Sequence, residues 1–204
     1  MTSVITGDII KSRGKTNPEI WLHPLKSALK ILSSDTSLWE IYRGDSFQIE
    51  IKDIHNCFIA AMYLKACIKT VKGLDVRLAI GIGEKTFSAK RITESNGEAF
   101  QYSGDTLETL KKEKINLKIR TNNNQLNEEL NLYFRLALIS MDSWTPNSAE
   151  IVKLSIEQPN ALQKELAKQI GISQNTVSER QKRASLDELL ELDRMYRLKI
   201  DQLL

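Results

Sequence analysis

Leu38-Trp39-Glu40-Ile41-Tyr42-Arg43-Gly44-Asp45-Ser46-Phe47-Gln48-Ile49-Glu50-Ile51 is the stretch whose reading decides the fold. Two strand-like runs, Leu38 to Arg43 and Phe47 to Ile51, flank Gly44-Asp45-Ser46, and a glycine followed by a small polar residue suits a tight hairpin turn. Upstream, Val4 to Ile10 is short and apolar with Gly7-Asp8 interrupting it, which reads as a buried strand ending in a polar loop. Pro18 then opens an amphipathic stretch that sets Ile20, Trp21, Leu25, Ala28, Leu29 and Leu32 on one helical stripe. Downstream, Ile54 to Val71 reads as a second helix stopped by Gly73, and Asp75 to Ile82 alternates as a fourth strand. Ala99 to Glu113 follows as a third helix and Ile115 to Arg120 as a last strand.

The order is β-α-β-β-α-β-α-β, and its first six elements are the split-βαβ, ferredoxin-like pattern. The expected fold class is therefore α+β: a ferredoxin-like palm with an extra αβ unit, followed by an all-α region. Asn122-Asn123-Asn124-Gln125 is a polar break, and from Leu126 onward only helices are read. This divides the chain into a palm domain, 1–122, and a helical domain, 126–204.

Composition limits the function classes. With 41% hydrophobic and 27% charged residues the chain is an ordinary globular one, and no apolar run is long enough to cross a bilayer. The opening Met1-Thr2-Ser3-Val4-Ile5-Thr6-Gly7-Asp8 lacks the basic start and apolar stretch of a signal peptide, so a cytoplasmic protein is expected. Cys57 and Cys67 share one expected helix and make no metal or disulfide spacing. The net charge of +3 is modest, so nucleic-acid affinity would have to come from a local basic face, doubled by dimerisation.

Topology makes two acids interesting together. In a split βαβ the third strand lies between the first two, so the end of strand one adjoins the turn joining strands two and three. Asp8 occupies the first place and Asp45 the second. Two carboxylates at one sheet edge, facing Lys11, Ser12, Arg13 and the glycines Gly14 and Gly44, suit Mg²⁺ carrying a nucleoside triphosphate such as ATP or GTP. Each acid alone also serves an ordinary structural role, Asp45 in a hairpin turn and Asp8 as a loop cap. It is the expected convergence that points to a site.

The second constellation is Gln163 to Ala184. Ala167 is small where two helices would cross, Gly171 permits a left-handed turn, and Leu166, Ile170, Ile172 and Val177 supply the inside of a corner. Ser173 is a good N-cap for the second helix. This is a helix-turn-helix template. In a major groove the exposed Ser173, Gln174, Asn175, Thr176, Ser178 and Glu179 would face base edges of double-stranded DNA. Arg180, Lys182 and Arg183 would hold phosphates, assisted by Lys164 and Lys168. Arg180 departs from the template, which expects an apolar side chain three positions after Val177. Leu186 to Leu204 reads as a last apolar helix that either packs back on Leu132, Phe134, Leu136, Leu138 and Ile139 or pairs with a second subunit in a homodimer.

Three segments resemble the signature segments of class III nucleotidyl cyclases: Val4-Ile5-Thr6-Gly7-Asp8-Ile9-Ile10, Tyr42-Arg43-Gly44-Asp45-Ser46-Phe47 and Val76-Arg77-Leu78-Ala79-Ile80-Gly81-Ile82-Gly83. That resemblance covers about the first 120 residues and implies that Asp8, Asp45 and the carbonyl of Ile9 ligate metal. The whole chain, including Ile5-Thr6-Gly7-Asp8-Ile9-Ile10-Lys11-Ser12-Arg13 and Glu94-Ser95-Asn96-Gly97-Glu98-Ala99-Phe100, is similar to the SatD family. This is the more specific of the two resemblances, and it implies a bacterial protein with a C-terminal helix-turn-helix. Cyclases carry a transition-state Asn and Arg one turn apart. Here Glu108 and Lys112 stand at those places, leaving Lys112 as the one catalytic candidate. Lysine lacks the planar fork and glutamate brings the wrong sign beside a polyphosphate, so binding rather than turnover is expected.

The function expected from the sequence is a DNA-binding transcriptional regulator whose palm binds a metal-nucleotide. The alternatives are an active nucleotidyl cyclase or polymerase-like enzyme with an accessory DNA-binding module, and a nucleotide-blind regulator whose palm only dimerises. His23 and His55 lack clustered partners, and Gly81-Ile82-Gly83 lacks the third glycine of a dinucleotide fingerprint.

Overall fold

The computed structural model describes residues 1–14 and 17–204, with Arg13 described in its backbone alone. One five-stranded sheet forms the centre. Its strands are β1 (Thr2–Ile10), β2 (Trp39–Tyr42), β3 (Ser46–Ile51), β4 (Asp75–Gly83) and β5 (Leu117–Arg120), in the spatial order β2-β3-β1-β4-β5. All neighbours are antiparallel except β4 and β5, which are parallel. The helices are α1 (Glu19–Leu32), α2 (Cys57–Lys69), α3 (Glu98–Glu113), α4 (Asn124–Met141), α5 (Pro146–Glu157), α6 (Gln163–Ile170), α7 (Gln174–Arg183) and α8 (Leu186–Ile200). The chain is thus a mixed α+β protein. Among the described residues, no helix is long and apolar enough to cross a membrane.

Alternation along β1 sorts the two faces of the sheet. Ile5 and Ile9 join Phe47, Ile49, Val76, Leu78 and Ile80 in the core under α1 and α2. Val4 packs with Ala99 and Phe100 of α3 on the opposite face. That second face is partly polar and internally bonded: Thr6 donates to Ser103 at 2.9 Å, and Gln48 donates to Thr6 at 3.1 Å. Burial of polar groups is tolerable there because each finds a partner.

Gly7-Asp8 does not interrupt the first strand. Pairing continues on both sides to Asp8↔Ser46 and Asp8↔Arg77, so Asp8 lies inside β1 rather than in a loop after it. The glycine answers a packing demand, since a Cβ at Gly7 would meet the Phe47 ring at 2.5 Å. Gly81 has a similar reason: α3 lies so close to β4 that a Cβ there would sit 2.1 Å from the Ala99 carbonyl oxygen.

The edge strand β5 is closed by side chains. Asn131 of α4 accepts from the Ile119 N–H at 2.8 Å and donates to the Ile119 carbonyl at 2.9 Å, as a neighbouring strand would. The helices after residue 126 then share a core with those before 122. Phe58 of α2 stacks on Phe134 of α4 at 4.8 Å, and Tyr196 of α8 lies 5.8 Å from Phe58 and donates to the Ile54 carbonyl. One cluster of buried apolar side chains runs from Ile5 to Ile200. Fully buried Lys65 adds a polar clasp, reaching Asp75 of β4 at 2.6 Å and Asp142 after α4 at 2.7 Å. Both cysteines are buried and free, and burial pushes their thiols up to about 12.

Candidate functional site

Two places gather the residues singled out above. The first is the edge where β1 meets the hairpin. Arg43 and Gly44 both take positive φ, 51° and 90°, which swings the hairpin and delivers Asp45 beside β1. The Ile9 N–H donates to the Asp45 carbonyl at 3.0 Å. In an extended strand the N–H and C=O of one residue point the same way, so the Ile9 carbonyl faces this edge too. Ser12 donates its hydroxyl to Asp45 Oδ2 at 2.5 Å. The structure thus brings Asp8, Ile9, Ser12, Gly44 and Asp45 together. Lys11 is exposed, with φ 66°. The Arg13 side chain lies outside the described residues.

Electrostatics at this edge centre on Asp8. Arg77, across the β1–β4 ladder, contacts Asp8 Oδ2 at 3.4 Å. Among the described residues, buried Asp8 Oδ1 and Arg77 Nε have no hydrogen-bond partner, and the two groups miss a bidentate fit. Burial holds the Asp8 carboxyl above its usual range and the charge of Asp45 adds to this, while Arg77 and Lys111 pull it down. Burial also pushes up the Tyr42 phenol, within the electrostatic reach of Asp8 and Glu108. Lys112 is exposed, and the α3 lysine whose charge acts on Asp8 is Lys111. Arg77, Lys111 and Tyr42 are site neighbours that reading the sequence for acids passed over. The available signal was a lone arginine inside the otherwise apolar run Val76-Arg77-Leu78-Ala79-Ile80. Among the described residues no three His, Cys, Asp or Glu side chains form a metal-holding group. Two carboxylates completed by phosphate oxygens is the arrangement Mg²⁺ commonly takes.

The second place is the helix pair α6–α7. Gly171 adopts φ 78° and donates its N–H to the Ala167 carbonyl at 2.9 Å, which ends α6 with a left-handed residue. Ser173 caps α7, its hydroxyl accepting from the Thr176 N–H at 3.2 Å. Val177 is fully buried, with Leu166, Ala167, Ile151 and Leu154 around it. Anchored this way, α7 turns Gln174, Asn175, Ser178 and Glu179 to solvent, with Ser173 exposed at its start and Thr176 half-buried.

The basic residues of α7 divide. Lys182 and Arg183 are exposed, and Arg183 reaches Glu179 of its own helix at 3.0 Å. Arg180 turns inward and pairs with Glu150 of α5 at 2.9 Å. This explains its departure from the template: an ion pair to α5 replaces the apolar contact. Gln181 lies beside it, donating to Ser155 of α5 at 3.1 Å. Lys164 and Lys168 on α6 are exposed.

Compared with protein-family models, with curated proteins and with solved structures, the chain matches none.

Proposed function

We propose that this chain is a DNA-binding transcriptional regulator of the SatD type, in which α6 and α7 form a helix-turn-helix. The observation that carries the reading is the exposed polar start of α7, held outward by fully buried Val177. A helix presented this way can enter a major groove, with Gln174 and Asn175 suited to adenine and Glu179 to cytosine. Lys182 and Arg183, with Lys164 and Lys168 on α6, would neutralise phosphates. Arg180 is left out of that set because Glu150 already occupies it.

The sheet region is proposed to be a ferredoxin-like, nucleotidyl cyclase-like palm that binds rather than turns over a metal-nucleotide. Strand order β2-β3-β1-β4 supports the palm. The buried Asp8 Oδ1, without a hydrogen-bond partner among the described residues, supports a cation there. Asp8, Asp45 and the Ile9 carbonyl would hold Mg²⁺, with Lys11, Ser12, Arg13 and Gly44 near the phosphates of ATP or GTP. A homodimer is proposed as well. Leu132, Leu136 and Ile139 of α4 stay exposed, and Leu136 and Ile139 border a groove with Leu189 and Leu192 of α8, an apolar face that a second copy would cover.

The deciding experiment is anisotropy titration of a random-sequence DNA duplex of about thirty base pairs across about 50 to 200 mM salt. Binding whose salt slope drops by about one in Lys182→Ala and again in Arg183→Ala supports the reading. Binding indifferent to salt and to both substitutions removes it. Melting with MgATP or MgGTP tests the palm: stabilisation of the wild type that Asp8→Asn abolishes is expected.

A further inference from the structure

On the side of the sheet covered by α2, away from Asp8, lies a cleft of about 460 Å³, within the size range of small-molecule sites. Its floor is apolar, made by Leu38, Ile51, Ile59, Ala60 and Ile156. The cleft is built by the end of α1, β3, α2 and the last turn of α5, with Leu38 ahead of β2 and the segment joining β3 to α2. No residue of either constellation described above lines it.

Its polar end is specific. The Tyr63 side chain is almost wholly buried, and its hydroxyl donates to Glu157 Oε1 at 2.5 Å. Lys153 lies 3.3 Å from Glu157 Oε1 and 3.4 Å from Oε2, both long contacts. A carboxylate offers about four acceptor sites, so this one keeps unused capacity toward the cleft. Of the other acids at the rim, Glu50 turns its carboxylate to the opposite face of the sheet, onto Thr2 and Lys85, and Asp53 is exposed and holds His55 and Asn56, so the acid that the cleft offers is Glu157.

We propose that this cleft binds a small organic cation, its apolar body on the Ile51–Ile59–Ile156 floor and its ammonium or amidinium nitrogen on the Glu157 carboxylate. An apolar floor alone would take any hydrophobic molecule, and the Glu157 carboxylate chooses among them. An anion would meet that carboxylate at close range. A neutral alcohol would gain the floor without the charge-assisted hydrogen bond, which is roughly twice as strong as a neutral one.

The cleft also touches the helix that holds α7. Glu157 and Ile156 end the same α5 whose Glu150 and Ser155 fasten Arg180 and Gln181. The bound cation is therefore an effector of the reading helix. This second half rests on the DNA-binding reading, whereas the binding itself does not.

The test uses phenethylamine, with 2-phenylethanol and 3-phenylpropionate as neutral and anionic counterparts, read by calorimetry and amide chemical shifts on the full chain. The amine should bind at least tenfold tighter than the anion, with shifts centred on Tyr63, Ile59 and Glu157. Glu157→Gln should weaken the amine about tenfold and leave the alcohol unchanged. Ile59→Trp, which fills the floor from a half-buried position, should remove both. Equal affinity for amine and anion, or an amine indifferent to Glu157→Gln, overturns the proposal even where Ile59→Trp misfolds. If the amine binds as expected and duplex affinity does not change with it, the cleft stands and its regulatory role falls. A chain that binds the amine but no DNA at all separates that failure from the failure of the DNA-binding reading.

Discussion

Replacing Arg180 by alanine separates two roles that a cation on α7 can play. Its side chain is 15% exposed and pairs with Glu150, which is 42% exposed, at 2.9 Å. Exposed pairs contribute about 0.2–1 kcal/mol, whereas removing one partner from a buried pair costs about 3–5 kcal/mol. Glu150 can hydrate once Arg180 is gone, so the loss belongs near the low end, about 1–1.5 kcal/mol. Most of it should appear as coupling in a double-mutant cycle with Glu150→Ala. At 204 residues each kcal/mol moves Tm by about 2–4 °C, so the variant should melt about 2–6 °C lower. On DNA the salt slope should stay that of the wild type, because the guanidinium faces α5 rather than solvent. Thermal denaturation and salt-dependent anisotropy, run on the four proteins of the cycle, measure both quantities. Additive stabilities together with a slope reduced by one would refute the reasoning and return Arg180 to the phosphate-binding set.

Lys65→Ala should destabilise by about 3 kcal/mol in urea unfolding, the low end for a broken buried pair, because Asp75 keeps Lys69 at 3.0 Å as a partner. Asp8→Asn should raise Tm at pH 7. Burial raises the Asp8 pKa in the folded state, so the charged form costs stability as pH rises above the unfolded value of 3.8, and the gain from asparagine should vanish below that pH. The pKa of His55 is raised first by its hydrogen bond to Asp201 at 2.7 Å and then by Asp53, so the stability it contributes is present below its ordinary value and lost as pH rises through the folded one. An NMR titration should show the raised value, and Asp201→Asn should bring it down. Leu136→Glu should leave the fold intact and convert a dimer to a monomer in sedimentation, and an unchanged dimer would exclude the α4–α8 face as the interface.

The element order was legible because the signals are local. The hairpin has two alternating runs and a turn residue that must take positive φ, and Gly44 does so at 90°. The α6–α7 corner was legible for the same reason, since Gly171 and Ser173 each perform a function confined to a few neighbouring residues. What escaped depends on residues distant in sequence. Gly7-Asp8 looks like a strand break until Phe47, forty positions later, needs the space over Gly7. Arg77 enters the Asp8 site through strand register, and Arg180 turns inward because Glu150 of another helix is there. Leu132, Phe134, Leu136, Leu138 and Ile139 read in the sequence as one apolar surface for the last helix, yet Phe134 and Leu138 are buried while Leu132, Leu136 and Ile139 are exposed. Which side of α4 faces α2 and α8 is decided by packing that periodicity alone does not orient.

Helix α5 joins the two halves of the chain. It begins with Thr145 accepting from the Ser148 N–H at 3.2 Å, and its last turn holds the hydroxyl of Tyr63 from α2. Between those ends Glu150 and Ser155 hold α7. A displacement of α2 relative to the sheet would therefore reach α7 through the Tyr63–Glu157 hydrogen bond and the Glu150 and Ser155 contacts of α5 rather than through a flexible tether. That makes a specific demand of any signal from the Asp8 edge of the sheet. Charge arriving at Asp8 acts on β1 and the hairpin, on the opposite face of the sheet from α5, and must cross the core through Phe47 and the α2 side chains packed on it. A ligand beside Glu157 touches α5 directly. If both sites regulate DNA binding, the shorter path predicts the stronger coupling for the α5 cleft, and comparing duplex affinity with saturating phenethylamine against saturating MgATP measures the difference.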